Sequence, residues 1–470
     1  MARLLFLQEV AFEYVGVMCL SAYVKSKGHE CDILIASEEG ADFYNKIKCY
    51  QPDAIGVSAM TGFHTTYLKM AEKVKSMMPV PVIFGGPHPT FFPEVIEHPA
   101  IDAVCRGEGE ETLADFLDTI DQGGDITAIP NLWTKRNGAV IRNEVRCGQN
   151  QLDEYPSADR EIYYKYKYLR NYPTKPFITG RGCPYLCSFC FNRDFNQMYK
   201  GKMKMLRRIS PEKTVQEVLD CQKKYPLHKI FFNDDIFIMQ KDWLEAFVPL
   251  YREKVGLPYA CNVRANLVDE ERVKLLKESN CYLVMWGIES GVEKRRREIL
   301  NKNISDEQIR RAAALFRKYD IKMKSFNIMG SPGETLAEAV QTIKLNAEVK
   351  IDFPWCSILQ PYPRTKIAEI AQEKGVLKKD YSLDDMEKSF FSDSILQQPE
   401  IKRIERLQKL FYLGVKFPGL IPLFKWMTKF NLKLVFQFLF GISFLYRFMR
   451  ETDIPLHKAV LFALRHRKSY

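Results

Sequence analysis

Short apolar runs recur through the first part of the chain, at 3–7, 31–35, 54–58, 80–84 and 101–105. Between them, apolar positions fall at helical spacing over about 16–27, 41–49, 64–77 and 110–121. Strand-length apolar runs alternating with amphipathic helices predict βαβ units and a parallel sheet. Five such strands predict a small doubly wound, Rossmann-like domain of α/β class, with its ligand at the carboxyl ends of the strands. The loops there are Ser58-Ala59-Met60-Thr61, Gly85-Gly86-Pro87-His88-Pro89-Thr90 and Arg106-Gly107-Glu108-Gly109-Glu110.

The rhythm breaks over 122–170, where Gly123-Gly124, Asn137-Gly138 and a run of tyrosines predict a linker with a hairpin. It returns with strands expected at 176–179, 229–232, 259–263, 282–287, 324–329 and 354–359, and helices between them, for example at 211–224 and 306–318. Six parallel strands with outer helices predict a partial (β/α)6 barrel whose chemistry sits on the loops after the strands. The expected domains are therefore 1–135, a linker 136–170, a barrel core 171–385 and a mainly helical region 386–470.

With 470 residues, 46% of them hydrophobic, the chain can bury more than one core. Its net charge of +11 resides in the tail: residues 401–470 hold 14 Lys or Arg against 3 Asp or Glu, and the rest is balanced. That argues against a nucleic-acid partner and for a local anionic one at the C-terminus. The tail carries a helix expected at 403–415 and an apolar run at 434–445, flanked by Lys425, Lys429, Lys433, Arg447 and Arg450. The run is shorter than the ~20 residues needed to span a bilayer. Two readings stay open: a segment lying on a membrane surface, and a helical cap on the barrel with solvated lysines. Met1-Ala2-Arg3 leads directly into an apolar run of four residues with no signal-peptide pattern, so a reducing cytoplasm is expected. Most of the twelve cysteines should then be free core residues.

Cys183, Cys187 and Cys190 need another account. They are spaced C-x3-C-x2-C after the Gly180-Arg181-Gly182 turn, where the first barrel strand ends. Structural zinc prefers four protein ligands, and no fourth Cys or His lies nearby in sequence. A disulfide would strand one thiol. Three thiolates on a short loop suit a 4Fe–4S cluster with one iron left open to bind and reduce a substrate.

This segment resembles the signature of radical S-adenosylmethionine enzymes. The resemblance extends over nearly all of residues 1–385 and is to the cobalamin-binding subgroup, which includes anaerobic magnesium-protoporphyrin monomethyl ester cyclases and cobalamin-dependent methylases. It implies that the open iron binds the amine and carboxylate of S-adenosylmethionine. One electron, from a flavodoxin- or ferredoxin-type donor, then releases methionine and a 5′-deoxyadenosyl radical. By position it implies contacts to the amine from Asp234 and Asp235, to the carboxylate from Arg264, and to the nucleoside or amine from Glu289, with Gly330 near the adenine. The chain departs from its relatives at Arg364, where glycine is usual. For cobalamin the resemblance rests on Ser58, Gly85, Gly86, His88, Gly107 and Glu108. The D-x-H-x-x-G motif that supplies a histidine to cobalt elsewhere is absent, and none of His29, His64, His88 and His98 stands in that pattern. The lower axial ligand stays open, and His88 reads as a loop or packing residue.

The expected function is radical activation of an unreactive carbon, with methylation of a hydrophobic or lipid-like small molecule first. Cyclisation, ring rearrangement and carbon–carbon coupling remain alternatives, as does a non-catalytic cobalamin and cluster sensor. Peripheral contact with the inner face of the membrane goes with the lipid reading.

Overall fold

The computed structural model describes residues 1–386, 391 and 393–452. The first sheet has seven strands in the order β2-β1-β3-β4-β5-β6-β7. They are β1 (Arg3–Gln8), β2 (Glu30–Ile35), β3 (Ala54–Ser58), β4 (Val82–Gly85), β5 (Ala103–Cys105), β6 (Leu132–Arg136) and β7 (Ala139–Arg142). Strands β1 to β5 are parallel. Alternation along β1 shows why the run 4–7 is apolar throughout: Leu4 and Phe6 enter one core, Leu5 and Leu7 the other. A parallel sheet covered on both faces needs apolar residues at both phases of the strand. The hairpin β6–β7, expected within a linker, instead extends this sheet as two antiparallel edge strands.

A second sheet has six strands in the order β15-β14-β13-β12-β11-β8. They are β8 (Thr174–Phe177), β11 (Lys229–Phe232), β12 (Tyr259–Val263), β13 (Cys281–Glu289), β14 (Lys322–Met329) and β15 (Phe353–Ile358). Two short strands, β9 (Gly180–Arg181) and β10 (Arg207–Arg208), pair antiparallel. Strands β12 to β15 are parallel. Ala260, Leu283, Met285 and Phe353 of neighbouring strands pack into one apolar cluster, with Phe231 and Phe326 against them. The outer helices start at sequence-encoded caps. Ser305 with Gln308, and Thr335 with Glu338, form capping boxes that satisfy the first free amides of helices Asp306–Lys318 and Leu336–Glu348.

Contacts divide the chain into two compact units, Met1–Gly182 with Asp194–Ile230, and Cys183–Arg193 with Phe231–Tyr470. The first unit thus takes in residues 171–182 and 194–230, which the strand rhythm alone assigned to the barrel. In the second unit the expected helix 403–415 is broken at Leu410 into Ile401–Lys409 and Phe411–Lys416. Both pieces, with helices Ile421–Met427 and Lys433–Thr452, bury Ile404, Leu407, Phe411, Phe424 and Phe436 against β14, β15 and helix Leu336–Glu348. The tail is a helical cap on its inward side.

Candidate functional site

In the second unit, Cys183, Cys187 and Cys190 lie on a loop clamped from both sides. Ser188 N–H donates to Leu300 O (2.9 Å), Ile367 N–H donates to Ser188 O (2.9 Å), and Asn301 Nδ2 donates to Leu186 O (2.6 Å). A turn from Cys190 N–H to Cys187 O (3.1 Å) folds the last two cysteines together. Cys187 is buried, and Cys183 and Cys190 are partly exposed. Burial raises the Cys183 thiol, and it pushes Cys190 up to about 12, with the neighbouring thiols and Asp235 adding to both. Three thiolates here repel one another until cationic iron offsets them, so loading a cluster must release protons. Among the described residues no three His, Cys, Asp or Glu side chains gather as a single metal ion would require. An iron–sulfur cuboid takes its thiolates at separate corners.

Arg264, at the end of β12, reaches this loop. Its Nη1 lies 3.8 Å from Cys187 Sγ and its guanidinium sits 3.7 Å above the Tyr185 ring. Its Nε is buried and has no hydrogen-bond partner among the described residues. Tyr185 is held in turn by Asn266 Nδ2, 3.1 Å from its hydroxyl. An arginine fixed by stacking, with donor capacity left over beside the cysteines, fits the carboxylate of S-adenosylmethionine. The two aspartates after β11 separate. Asp234 is buried, with its backbone carbonyl accepting from Asn262 Nδ2 (2.8 Å). Asp235 lies on the cysteine side; desolvation raises its carboxyl, partly opposed by a hydrogen bond from Asn192.

Glu289 ends β13 at φ 63°, after a register shift that begins at Gly287. Its carboxylate takes a buried 2.7 Å ion pair from Lys302. A Cβ on Gly287 would stand 1.9 Å from Glu289 Oε1 and 2.3 Å from Lys302 Nζ, so this glycine makes room for the pair. Gly330, at φ 81°, opens a loop held by other residues. Arg295 donates to Ser331 Oγ, Pro332 O and Gly333 O, and Gln398 Oε1 accepts from Gly333 N–H at 2.7 Å. Buried Glu334 accepts from Ser331 N–H (2.9 Å), and desolvation pushes its carboxyl up to about 7. At Arg364 the chain keeps the left-handed turn, with φ 71°, although the residue is not glycine.

The first unit contains a cavity of about 350 Å³ at the carboxyl ends of β1, β3, β4 and β5. Gly16, Cys19 and Leu20 of helix Val15–Ser26 form one wall. Ser58, Gly85, Gly86, Gly107 and Glu108 form another part of the lining. Ser58 and Gly85 are register partners, and a Cβ on Gly85 would meet nothing closer than 3.9 Å. The size and largely apolar lining suit the flat base of a nucleotide tail, with the Ser58 hydroxyl as a polar contact.

The other two glycines serve the protein itself. A Cβ on Gly86 would lie 2.9 Å from Ser58 Oγ, and one on Gly107 would lie 2.2 Å from Tyr199 Oη. Both have positive φ, 90° and 78°. Glu108 is buried. Burial alone would raise its carboxyl, but hydrogen bonds from Arg207 (2.9 and 2.5 Å) and the charges of Arg181 and Arg207 hold it below the ordinary range. His88 does not line the cavity. It is buried in a stack on His64, centroids 3.9 Å apart, with Thr61 Oγ1 3.2 Å from Nδ1, and burial pushes its imidazole down to about 3. A cobalt-facing role for His88 is therefore at odds with its position.

Lys302, Arg295, Gln398, Arg207 and Tyr199 were not singled out from sequence. Each reaches its partner over a chain separation that no local motif spans.

Two family profiles match the chain: one described as B12 binding domain over residues 10–117, and the radical SAM superfamily over residues 177–345. An uncharacterised methyltransferase of Pyrococcus horikoshii is 30% identical over 77% of this chain and 79% of its own length. The anaerobic magnesium-protoporphyrin IX monomethyl ester cyclase of Rubrivivax gelatinosus is 25% identical over 84% of this chain and 71% of its own. The radical S-adenosylmethionine methyltransferase TsrM of Kitasatospora setae shares the fold, with a TM-score of 0.68 at 18% identity over 79% of this chain and 76% of that one. The cysteine loop, the cavity at the carboxyl ends of the first sheet's parallel strands and these matches agree: the chain belongs to the cobalamin-binding radical S-adenosylmethionine enzyme family.

Proposed function

We propose that this enzyme methylates an unactivated carbon of a hydrophobic, lipid-like small molecule, and that the residues assembled above carry the parts. The observation that bears most weight is Cys183, Cys187 and Cys190 on one clamped loop beside Arg264. Bound there, the cluster and S-adenosylmethionine supply a 5′-deoxyadenosyl radical, and cobalamin supplies a methyl group.

The chain's own residues position these groups. Arg264 and its spare Nε hold the carboxylate of S-adenosylmethionine. Asp235 lies on the cysteine side, where the amine would bind, and buried Asp234 supports the loop from behind. Glu289, oriented by Lys302, accepts from the nucleoside or the amine. The Gly330 loop, braced by Arg295 and Gln398, gives the adenine a backbone edge. In the segment 1–135, Ser58 and Gly85 offer a hydroxyl and open backbone to the cobalamin tail, while Gly86, Gly107 and Glu108 hold the loops that shape its cavity.

The electron comes from a flavodoxin- or ferredoxin-type protein in the cytoplasm. The apolar, basic region 401–470 supports a substrate taken at a membrane face. A second reading, radical cyclisation or rearrangement without methyl transfer, is favoured by the cyclase relative that aligns over most of the chain.

The experiment is anaerobic reconstitution followed by dithionite and S-adenosylmethionine, with hydrophobic extracts as substrate source. Formation of both 5′-deoxyadenosine and S-adenosylhomocysteine, with a product one methyl heavier, supports methylation. 5′-Deoxyadenosine without S-adenosylhomocysteine would replace it with the second reading. Neither product would leave a cobalamin and cluster sensor.

A further inference from the structure

Sixteen large apolar side chains are exposed among the described residues, and eleven of them fall within residues 417–446. They come from two neighbouring stretches. Phe417, Leu420, Leu423, Trp426 and Phe430 lie on and around helix Ile421–Met427. Leu434, Val435, Phe438, Ile442 and Tyr446 share one stripe of helix Lys433–Thr452, at the i, i+3, i+4 spacing of a single face. Leu434 is 81% exposed and Phe438 66%. The opposite side of that helix is already occupied: Phe436 is buried in the core, Ser443 is buried, and Arg447 lies 3.9 Å from the Trp355 ring. The outward stripe is therefore a second, separate apolar face, and a contiguous exposed apolar patch of this kind marks an interaction surface.

Charge selects the partner. From residue 406 to residue 450 there are eight Lys or Arg and no Asp or Glu. Lys425, Lys429, Lys433 and Arg450 are exposed among or beside the apolar residues. A second copy would set this cationic face against itself, with no acidic residue there to pair. A surface that offers hydrocarbon and anionic head groups together satisfies both features. Among the described residues no helix is long and apolar enough to cross a membrane, so the face would lie along the surface.

We propose that the outward face of helices Ile421–Met427 and Lys433–Thr452 docks on an anionic phospholipid bilayer, with Trp426, Phe438 and Ile442 in the hydrocarbon boundary and Lys425, Lys429 and Lys433 at the head groups. This deepens the membrane-face reading given above and does not depend on which reaction the radical serves.

The test is flotation of the full-length, cofactor-loaded protein with vesicles of phosphatidylcholine, with and without phosphatidylglycerol. Binding should need phosphatidylglycerol and weaken as salt rises. Replacing Lys425, Lys429 and Lys433 together by Gln should lower partitioning by about a hundredfold. Phe438→Ser with Ile442→Ser should abolish it. Both variants alter exposed positions, so an unchanged melting temperature and retained 5′-deoxyadenosine formation show that fold and site persist. No binding to either vesicle, salt-independent binding, or a dimer in light scattering that the Ser variant dissolves would each overturn the proposal. Failure of wild-type turnover would count against the reaction and leave the docking result standing.

Discussion

At the scale of single residues, the candidate positions legible in sequence are those whose partners are close in sequence. Cys183, Cys187 and Cys190 carry their meaning in a seven-residue spacing, and nothing distant is needed to read it. His88 is nearest in motif terms to a cobalt ligand yet reads as a loop or packing residue; it stacks on His64 and is not among the residues lining the cavity. Arg364 is intermediate. The sequence shows the departure from glycine, and the structure shows that the left-handed turn survives it. That geometry costs a non-glycine residue about 1 kcal/mol. Comparing Arg364→Gly with Arg364→Ala removes the side chain in both cases, so the Gly variant should be more stable by ~1 kcal/mol in urea denaturation. Equal stabilities would mean that the turn is not strained.

Elements show what a strand rhythm can and cannot give. The strands of both sheets lie within a few residues of the expected runs; in the first sheet this is because parallel strands covered on both faces are apolar at both phases, while in the second β14 alternates buried and partly exposed positions. The hairpin β6–β7 was legible as a hairpin but not as an edge of the first sheet, since its half-exposed sequence does not say which strand it joins. Loops are less legible still. Glu108 depends on Arg207, ninety-nine residues away. Arg207→Ala would leave a largely desolvated carboxylate with Arg181 alone, at a cost on the order of 2 kcal/mol. It should lower the melting temperature and weaken cobalamin binding together; an unaffected affinity would remove Glu108 from the site.

The Gly330 loop makes a pH prediction. Buried Glu334 holds its proton to about pH 7, while an ordinary carboxyl releases it near 4.5. The folded state therefore binds more protons between those values, and stability must fall as pH rises through that window. The contribution is on the order of 3 kcal/mol and is fully present only below pH 4.5. Glu334→Gln should flatten the stability profile between pH 4.5 and 7. A profile unchanged by the substitution would place the ionised carboxylate in adequate company.

On the scale of the whole molecule, the two cofactor regions were legible as a class, and what the radical acts on was not. Substrate identity depends on the shape of a cavity assembled from many loops. Cofactor binding has a global consequence, because a ligand that binds only the folded state stabilises it by about 2.7 kcal/mol at a hundredfold excess over its dissociation constant. Hydroxocobalamin should raise the melting temperature of the intact chain. Gly85→Leu, which fills open cavity rather than packed protein, should fold and lose that increment. A shift that persists in the Leu variant would put cobalamin elsewhere.

The central claim is that Cys183, Cys187 and Cys190 hold the cluster that cleaves S-adenosylmethionine. Its most direct test is 5′-deoxyadenosine formation by anaerobically reconstituted protein with dithionite, in wild type and in each Cys→Ala variant. The account predicts formation by wild type and none by any of the three variants, with cobalamin still bound to all of them. Full 5′-deoxyadenosine yield from any one of those variants would contradict it.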